Sequence, residues 1–331
     1  MTRTSLRAAG VALIALVSLS SSVSRGAPQQ RSSSARTSAA GRYTDVTPDG
    51  MIDAAKARGT AEGAPDHAVL GAIATISSLS DRATDGAAEK ALAAIAASKA
   101  APDLREEASL VARTLAADEG QPSGVSADAA LGVLTHVALL GPFRDTGGGL
   151  QRHEGPEKAG AVAFDPKEDD SWGTVQVGWR EVPDSYAQAS GIPLDVFVEP
   201  RRESCTYVGS RVTLAKSEPI VVHLAATGTA RLTFDGKDLG ESDEANTSLA
   251  FDRIAAKIDA TAGEHVVMAK VCAGALDDDG RVRLRVTGAT TTSDVQPPKG
   301  AVTIGKQKVQ TLATPLARVI GTTEASMKKL E

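Results

Sequence analysis

Residues 140–157, LGPFRDTGGGLQRHEGPE, gather glycines, prolines, arginines, acids and a histidine in a stretch with almost no helix or strand character. A glycine run can cradle a phosphate, but such a loop runs from a strand into a helix and ends in Lys and Ser or Thr. Here GGG leads into LQRHEGPEKAG, which has neither the helix nor the Gly-Lys-Ser/Thr ending. His153, Glu154 and Glu157 offer metal ligands, yet Gly155-Pro156 prevents the helix that would set a His pair one turn apart. The stretch therefore reads as the exit from the first strand of a β domain, with Pro142 ending the ladder and Phe143 tucked into the core.

Other groups with chemical capacity are scattered. Asp277, Asp278 and Asp279, and separately Glu168, Asp169 and Asp170, are hard oxygen donors suited to Ca²⁺, with Asp277 and Asp279 the pair to test. Neither run has the spacing of a calcium loop, so both read as solvated turns and no cofactor is expected. Arg281, Arg283 and Arg285 alternate with Val282, Leu284 and Val286, giving one strand face three guanidinium groups. Such a stripe could read an acidic glycan or a carboxylated partner, or be a solvated sheet face opposite acids. Trp172 and Trp179 fall on opposite faces if one strand carries both. One then belongs to the core, and the other, with Tyr186, is the candidate sugar-stacking surface. Any acid-rich chain supplies carboxylate pairs, and nothing singles out two for glycoside hydrolysis.

The elements that must position these residues follow from patterning. At 331 residues the chain can bury two cores, and with aromatics at 3% small aliphatics must fill most of them. A net charge of −5 with both signs interspersed, and no Lys/Arg run, disfavours nucleic acid. Arg3 and Arg7 precede AAGVALIALVSL, too short to span a bilayer and laid out like a secretory signal peptide, assigned to residues 1–27. The mature chain is then periplasmic or secreted, with no transmembrane span. Cys205 and Cys272, in or beside strands of one domain, invite pairing in an oxidising compartment, the alternative being two buried thiols. No His or acid recurs at the spacing of a thiol enzyme.

Residues 28–47 read as a disordered linker. Helical periodicity runs through 48–122, where Val69, Leu70, Ile73 and Ile76 share a face, as do Leu104, Ala108, Val111 and Leu115. Two helix starts read APD, at 64–66 and 101–103, with Pro in the first turn and Asp at the positive end. That separation matches stacked hairpins of HEAT or tetratricopeptide type, and a plain helical bundle would look the same. From 130 to 290 short Val-, Leu- and Thr-rich runs alternate in polarity between Gly, Pro, Asp and Asn. DG at 235–236 and DDDG at 277–280 mark hairpins. The expected fold class is α+β, a short helical segment followed by an antiparallel β-sandwich of jelly-roll type, with 291–331 as linker and C-terminal helix. Leu316, Val319 and Ile320 in that tail either dock on the N-terminal helices or begin further repeats.

The order LGVLTHVALLGPFRDTGGG, GPE, WGTVQVGWREV, CTYVGSRVTLAKSEPIVVHLAATGTARLTFDGKDLGE and AGEHVVMAKVCAGALDDDGRVRLRVTG resembles a non-catalytic jelly-roll module of exported bacterial proteins, found beside helical repeats. The module is similar in outline to the sugar-binding sandwiches of glycoside hydrolases and to galactose-binding-like folds. His136 stands where the family commonly has Trp before the GPF turn, and Phe234-Asp235-Gly236 where it commonly has Leu-Asn-Gly. The resemblance implies an exported, non-enzymatic protein that binds or scaffolds at the cell envelope through glycan or protein. A self-assembling envelope component and an accessory protein of a glycan-acting hydrolase are the alternatives.

Overall fold

The computed structural model describes residues 47–120, 128–146, 148–157, 163–164, 170–172, 175–246, 249, 251–273, 278–288, 300–301 and 308–328. The signal peptide, nearly all of the 28–47 linker, Asp277 and most of the linker after 290 lie outside them.

Four helices open the described chain: α1 (Pro48–Gly59), α2 (Asp66–Leu79), α3 (Ala87–Ala96) and α4 (Pro102–Asp118). Thr47 caps α1, its hydroxyl accepting the Gly50 amide at 3.2 Å, and Lys56 and Arg58 sit in the last turn, where the helix dipole favours cations. The expected apolar faces are buried together, Ile73 and Ile76 against Leu92, Ile95 and Leu104 in one core. Both APD copies do start helices, Pro65 flanking α2 and Pro102 opening α4. Their aspartates share one partner. Arg318 donates to Asp66 Oδ2 at 3.0 Å and also to Asp103, from a C-terminal helix α6 (Pro315–Met327) whose Leu316 and Val319 pack on the helical core. This segment of the tail docks back on the N-terminal helices.

The strands are β1 (Val137–Arg144), β2 (Ala163–Phe164), β3 (Asp170–Trp172), β4 (Val175–Val177), β5 (Arg180–Val182), β6 (Ile192–Pro193), β7 (Ser204–Leu214), β8 (Glu218–Ala226), β9 (Gly228–Phe234), β10 (Lys237–Asn246), β11 (Ile254–Ala260), β12 (Gly263–Cys272), β13 (Arg281–Thr287), β14 (Gly300–Ala301) and β15 (Val309–Leu312). A helical turn, α5 (Leu194–Phe197), follows β6 directly. Eleven of the strands form two antiparallel sheets, ordered β10-β9-β12-β7-β1-β5 and β15-β11-β8-β13-β6, while β14 pairs with β2 and β3 with β4. The two sheets face each other across a shared core of Val, Leu, Ile and Ala, including Leu139, Val208, Leu232 and Val267 from one and Val222, Leu224, Ile258 and Leu284 from the other. This is a β-sandwich, and with the helices the chain is α+β.

Asp235-Gly236 makes the β9–β10 hairpin, both residues at positive φ (49° and 74°), as Asp-Gly turns require. β11, IAAKIDA, pairs along its whole length with β8 although its alanines carry little strand signal. β15, beyond the expected sandwich boundary at 290, adds an edge strand to β11. The stretch holding Trp172 and Trp179 is not one strand: β3 and β4 form their own hairpin, and Trp179 falls in the break before β5. The helical layer and the sandwich form a single compact unit.

Candidate functional site

The central strands of each sheet are covered on their outer side, while the β11–β15 end of the five-stranded sheet stays open in a cleft of about 410 Å³ lined by Lys257, Asp259, Lys308, Val309 and Gln310. On the six-stranded sheet the glycine-rich loop folds back over Tyr207, Val266 and Met268, burying Leu140, Phe143 and Leu150 with them. Phe143 meets Tyr207 edge to face at 5.3 Å, the core role expected of it. Gly148 adopts φ 91°, and a Cβ on Gly149 would lie 2.7 Å from Cys205 Sγ, so that turn needs glycine twice. Cys205 and Cys272 are bonded to each other, joining paired positions of β7 and β12 beneath the loop.

Glu157, set aside as a loop residue in the sequence, does converge with other groups. Its carboxylate accepts from Tyr207 Oη at 2.7 Å and Lys270 Nζ at 3.2 Å, and lies 3.5 Å from Arg231 Nη1. Lys270 also donates to the Arg152 carbonyl, and Arg231 to Glu241 at 2.9 Å. Burial, opposed by the Glu157 charge, depresses the Lys270 ammonium pKa, while burial and Glu157 together push the Tyr207 phenol up. Every charge here has a partner and Lys270 and Tyr207 are enclosed, so this cluster fastens the loop to the sheet. His153 remains exposed.

The arginine stripe lies on the other sheet and is not a solvated face. Arg283 and Arg285 are each 2 % exposed, because α4 and residues 251–252 lie across β13. Arg285 Nη2 donates to Asp252 Oδ2 at 2.6 Å, and Arg283 Nη2 reaches Asp252 Oδ1 at 3.3 Å. His223 Nδ1 lies 3.3 Å from the same carboxylate, and Glu106 Oε2 is 3.5 Å from Arg285. Glu107, on α4, accepts the Asp252 amide at 3.4 Å. Burial, reinforced by the charge of Asp252, raises the Glu107 pKa to about 8 against the pull of both arginines. Burial opposes ionisation of Asp252 as well, but there Arg285, His223 and Arg283 win and hold it well below the usual carboxylate range. Sequence alternation gave the shared face; the cover comes from segments far away in the chain.

Arg281, at the end of the stripe, emerges at the sandwich edge in a cleft of about 270 Å³. Tyr186 stands on its wall 43 % exposed, its ring edge-on to Phe197 at 5.3 Å. Gln188, Ser185 and Ser190 line the cleft with it, as do Asp118 and Gly120 at the end of α4. Arg281 Nη1 donates to the Ser190 carbonyl at 3.0 Å and Nη2 to Asp118 Oδ1 at 3.4 Å. The Tyr186 loop is pinned at Ala189, whose amide donates to Asp128 Oδ2 at 3.1 Å and whose carbonyl accepts from Arg283 Nη1 at 2.8 Å. Burial raises the Asp118 pKa, with Asp279 and Asp81 adding to the rise and Arg281 opposing it.

Of the sequence candidates, then, Tyr186 and Arg281 line one cleft, while Arg283 pins the Tyr186 loop at Ala189 and Arg285 pairs with Asp252. Trp179 packs half-buried beside the cluster under the glycine-rich loop, and Trp172 is described by its backbone, which pairs with Val175. Asp278 is buried and accepts from Arg201 Nη1 at 2.7 Å and from the Gly280 amide at 2.6 Å, so its turn is closed by an arginine. Asp118 and Gln188 escaped the sequence reading. An acid in the last turn of a helix that has no basic residue there was the available signal.

No family model matches the chain. No curated protein is significantly similar to it. Among solved structures it is similar to a family 35 carbohydrate binding module from Clostridium thermocellum, at 21 % identity over 26 % of this chain and 72 % of that one, TM-score 0.20. It is also similar to a GH31 alpha-xylosidase from Xanthomonas citri, at 13 % identity over 52 % of this chain and 19 % of that one, TM-score 0.26. The fold assignment rests on the strand order and the two stacked sheets.

Proposed function

We propose that this chain is a non-catalytic binding protein of the bacterial cell envelope, periplasmic or secreted, whose sandwich offers the Tyr186–Arg281 cleft to a carbohydrate. One observation carries the reading: an exposed aromatic ring and planar polar side chains, Arg281, Asp118 and Gln188, line one cleft on a braced loop. Sugars present an apolar C–H face and a ring of hydroxyls, and that pairing of surfaces is what binds both. Asp118 and Arg281 are engaged with each other, an arrangement suited to recognising vicinal hydroxyls rather than to moving protons. The helical layer, HEAT- or tetratricopeptide-like, serves as the scaffold behind the cleft.

Calorimetric titration of the full chain against neutral and charged oligosaccharides tests this. Binding to at least one glycan, lost in Tyr186→Ala and in Arg281→Met, is the expected result. Binding to none, together with a discrete oligomer in light scattering, would replace the reading with a self-assembling envelope component.

A further inference from the structure

The charge around the cleft narrows the ligand. Helix α4 ends at its wall, so the last carbonyls of that helix put partial negative charge there. The residues at that end, Asp118 and Glu119, are acids, in the place where helices ordinarily carry Lys or Arg, and the last turn has no basic residue. Asp279 and Asp81 add their fields to Asp118. Against these stands Arg281, whose guanidinium is drawn to the Ser190 carbonyl on one side and is 3.4 Å from Asp118 on the other. The Tyr186 ring lines the same cleft, a surface that attracts cations as well as C–H groups. Acids at the wrong helix end disfavour the helix, and such local conflicts are expected where function overrides stability.

Resting on the carbohydrate reading of this cleft, we propose that it selects a glycan bearing a free amine, a de-N-acetylated amino sugar, over the acetylated form of the same backbone. The ammonium group lies toward Asp118 and the α4 carbonyls, while the sugar's C–H face lies on Tyr186. Acetylation removes the positive charge that Asp118 would meet and adds bulk beside it.

The experiment compares chitotetraose with its fully de-N-acetylated counterpart, bound to the full chain at low and at moderate salt. The free-amine tetramer is expected to bind about five- to tenfold tighter at low salt, the size of one partly exposed charge pair plus a cation–π contact, and the margin should shrink as salt is added. Asp118→Asn, which also alters the cleft wall, should weaken the free-amine tetramer about five- to tenfold more than the acetylated one and so abolish the margin. Its melting temperature should hold or rise, because an acid has left a helix C-terminus. Tyr186→Ala should weaken both tetramers. Equal binding of the two overturns the selectivity and leaves the carbohydrate site standing, as does a preference that survives Asp118→Asn. Failure of both tetramers, when another oligosaccharide binds and Tyr186→Ala abolishes it, also overturns the selectivity alone. Failure of every glycan overturns both readings.

Discussion

Replacing Asp252 by Ala removes the anion that two enclosed guanidinium groups share. Arg283 and Arg285 are each 2 % exposed, so neither can recover its lost interaction from bulk water. Breaking one partner out of a buried ionic group costs about 3–5 kcal/mol, because a desolvated charge is left behind. Glu107 moderates this. Its carboxyl is held protonated partly by the charge of Asp252, and with that charge gone the two arginines pull its pKa down. Once ionised, Glu107 neutralises part of the excess, so the Asp252→Ala cost near pH 7 belongs at about 3 kcal/mol and grows as acid reprotonates Glu107. Adding Glu107→Gln removes the substitute anion, and the double variant should lose about 1–2 kcal/mol more than the two single variants summed. Urea unfolding followed by circular dichroism at pH 5.5 and 7.5 gives all four corners of the cycle. A cost below about 1 kcal/mol, or additivity within about 0.5 kcal/mol, would mean that water reaches the arginines and that α4 is held to the sandwich by something else. Converting Asp252, Arg283 and Arg285 together to Leu, Met and Met should restore stability, since an apolar replacement of an entire buried ionic group is often neutral or better.

Further outcomes follow from other elements. His265 is enclosed between Asp235 and the Thr261 carbonyl, 2.8 Å from each, and although burial lowers its pKa these acceptors raise it above the ordinary value. Its contribution is therefore full below about pH 6.5 and is lost as pH rises through the raised value, so His265→Gln should flatten the alkaline decline of the melting temperature. Glu107 acts in the same direction by a different route. The folded state keeps a proton up to about pH 8 that the unfolded chain releases near 4.5, so stability falls as pH rises between those values, and Glu107→Gln should reduce that fall. Cys205 and Cys272 stand 67 residues apart, and reduction, or replacement of both by Ser, should cost about 4 kcal/mol in the chain-entropy model, read as a reductant-dependent drop in melting temperature. Arg318→Met should cost about 1 kcal/mol and raise amide exchange in α6 ahead of the rest, and uniform exchange there would show that Leu316 and Val319 suffice to dock it.

Much of this was legible before any coordinates. The alternating runs placed β7, β8, β9, β12 and β13 because each is a long strand whose inward side chains fill one core. The Asp235-Gly236 hairpin and the two APD helix starts were likewise readable, since turn and cap chemistry is local. What escaped depends on partners distant in the chain. Alternation groups Arg281, Arg283 and Arg285 on one face, and it says nothing of the α4 and Asp252 cover that buries two of them. β11 was missed because IAAKIDA is a strand by virtue of pairing with β8 along its length, while its alanines favour a helix. Glu157 looked like a loop acid because its companions, Tyr207, Arg231 and Lys270, come from three later strands.

The docking of α6 has a mechanical consequence. The first described helix, α1, and the last, α6, both pack on α2, so the described residues begin and end on the same helix. Tension applied between residues near 48 and 327 would load the α1–α2 and α2–α6 contacts and the Arg318 link to Asp66 and Asp103 first. The sandwich sits inside that closed loop and would be shielded from the pull until α6 let go. The disulfide between β7 and β12 would then keep residues 205–272 from extending. A single-molecule stretching trace should accordingly show α6 releasing at low force, followed by the sandwich with its contour length shortened by the crosslinked segment.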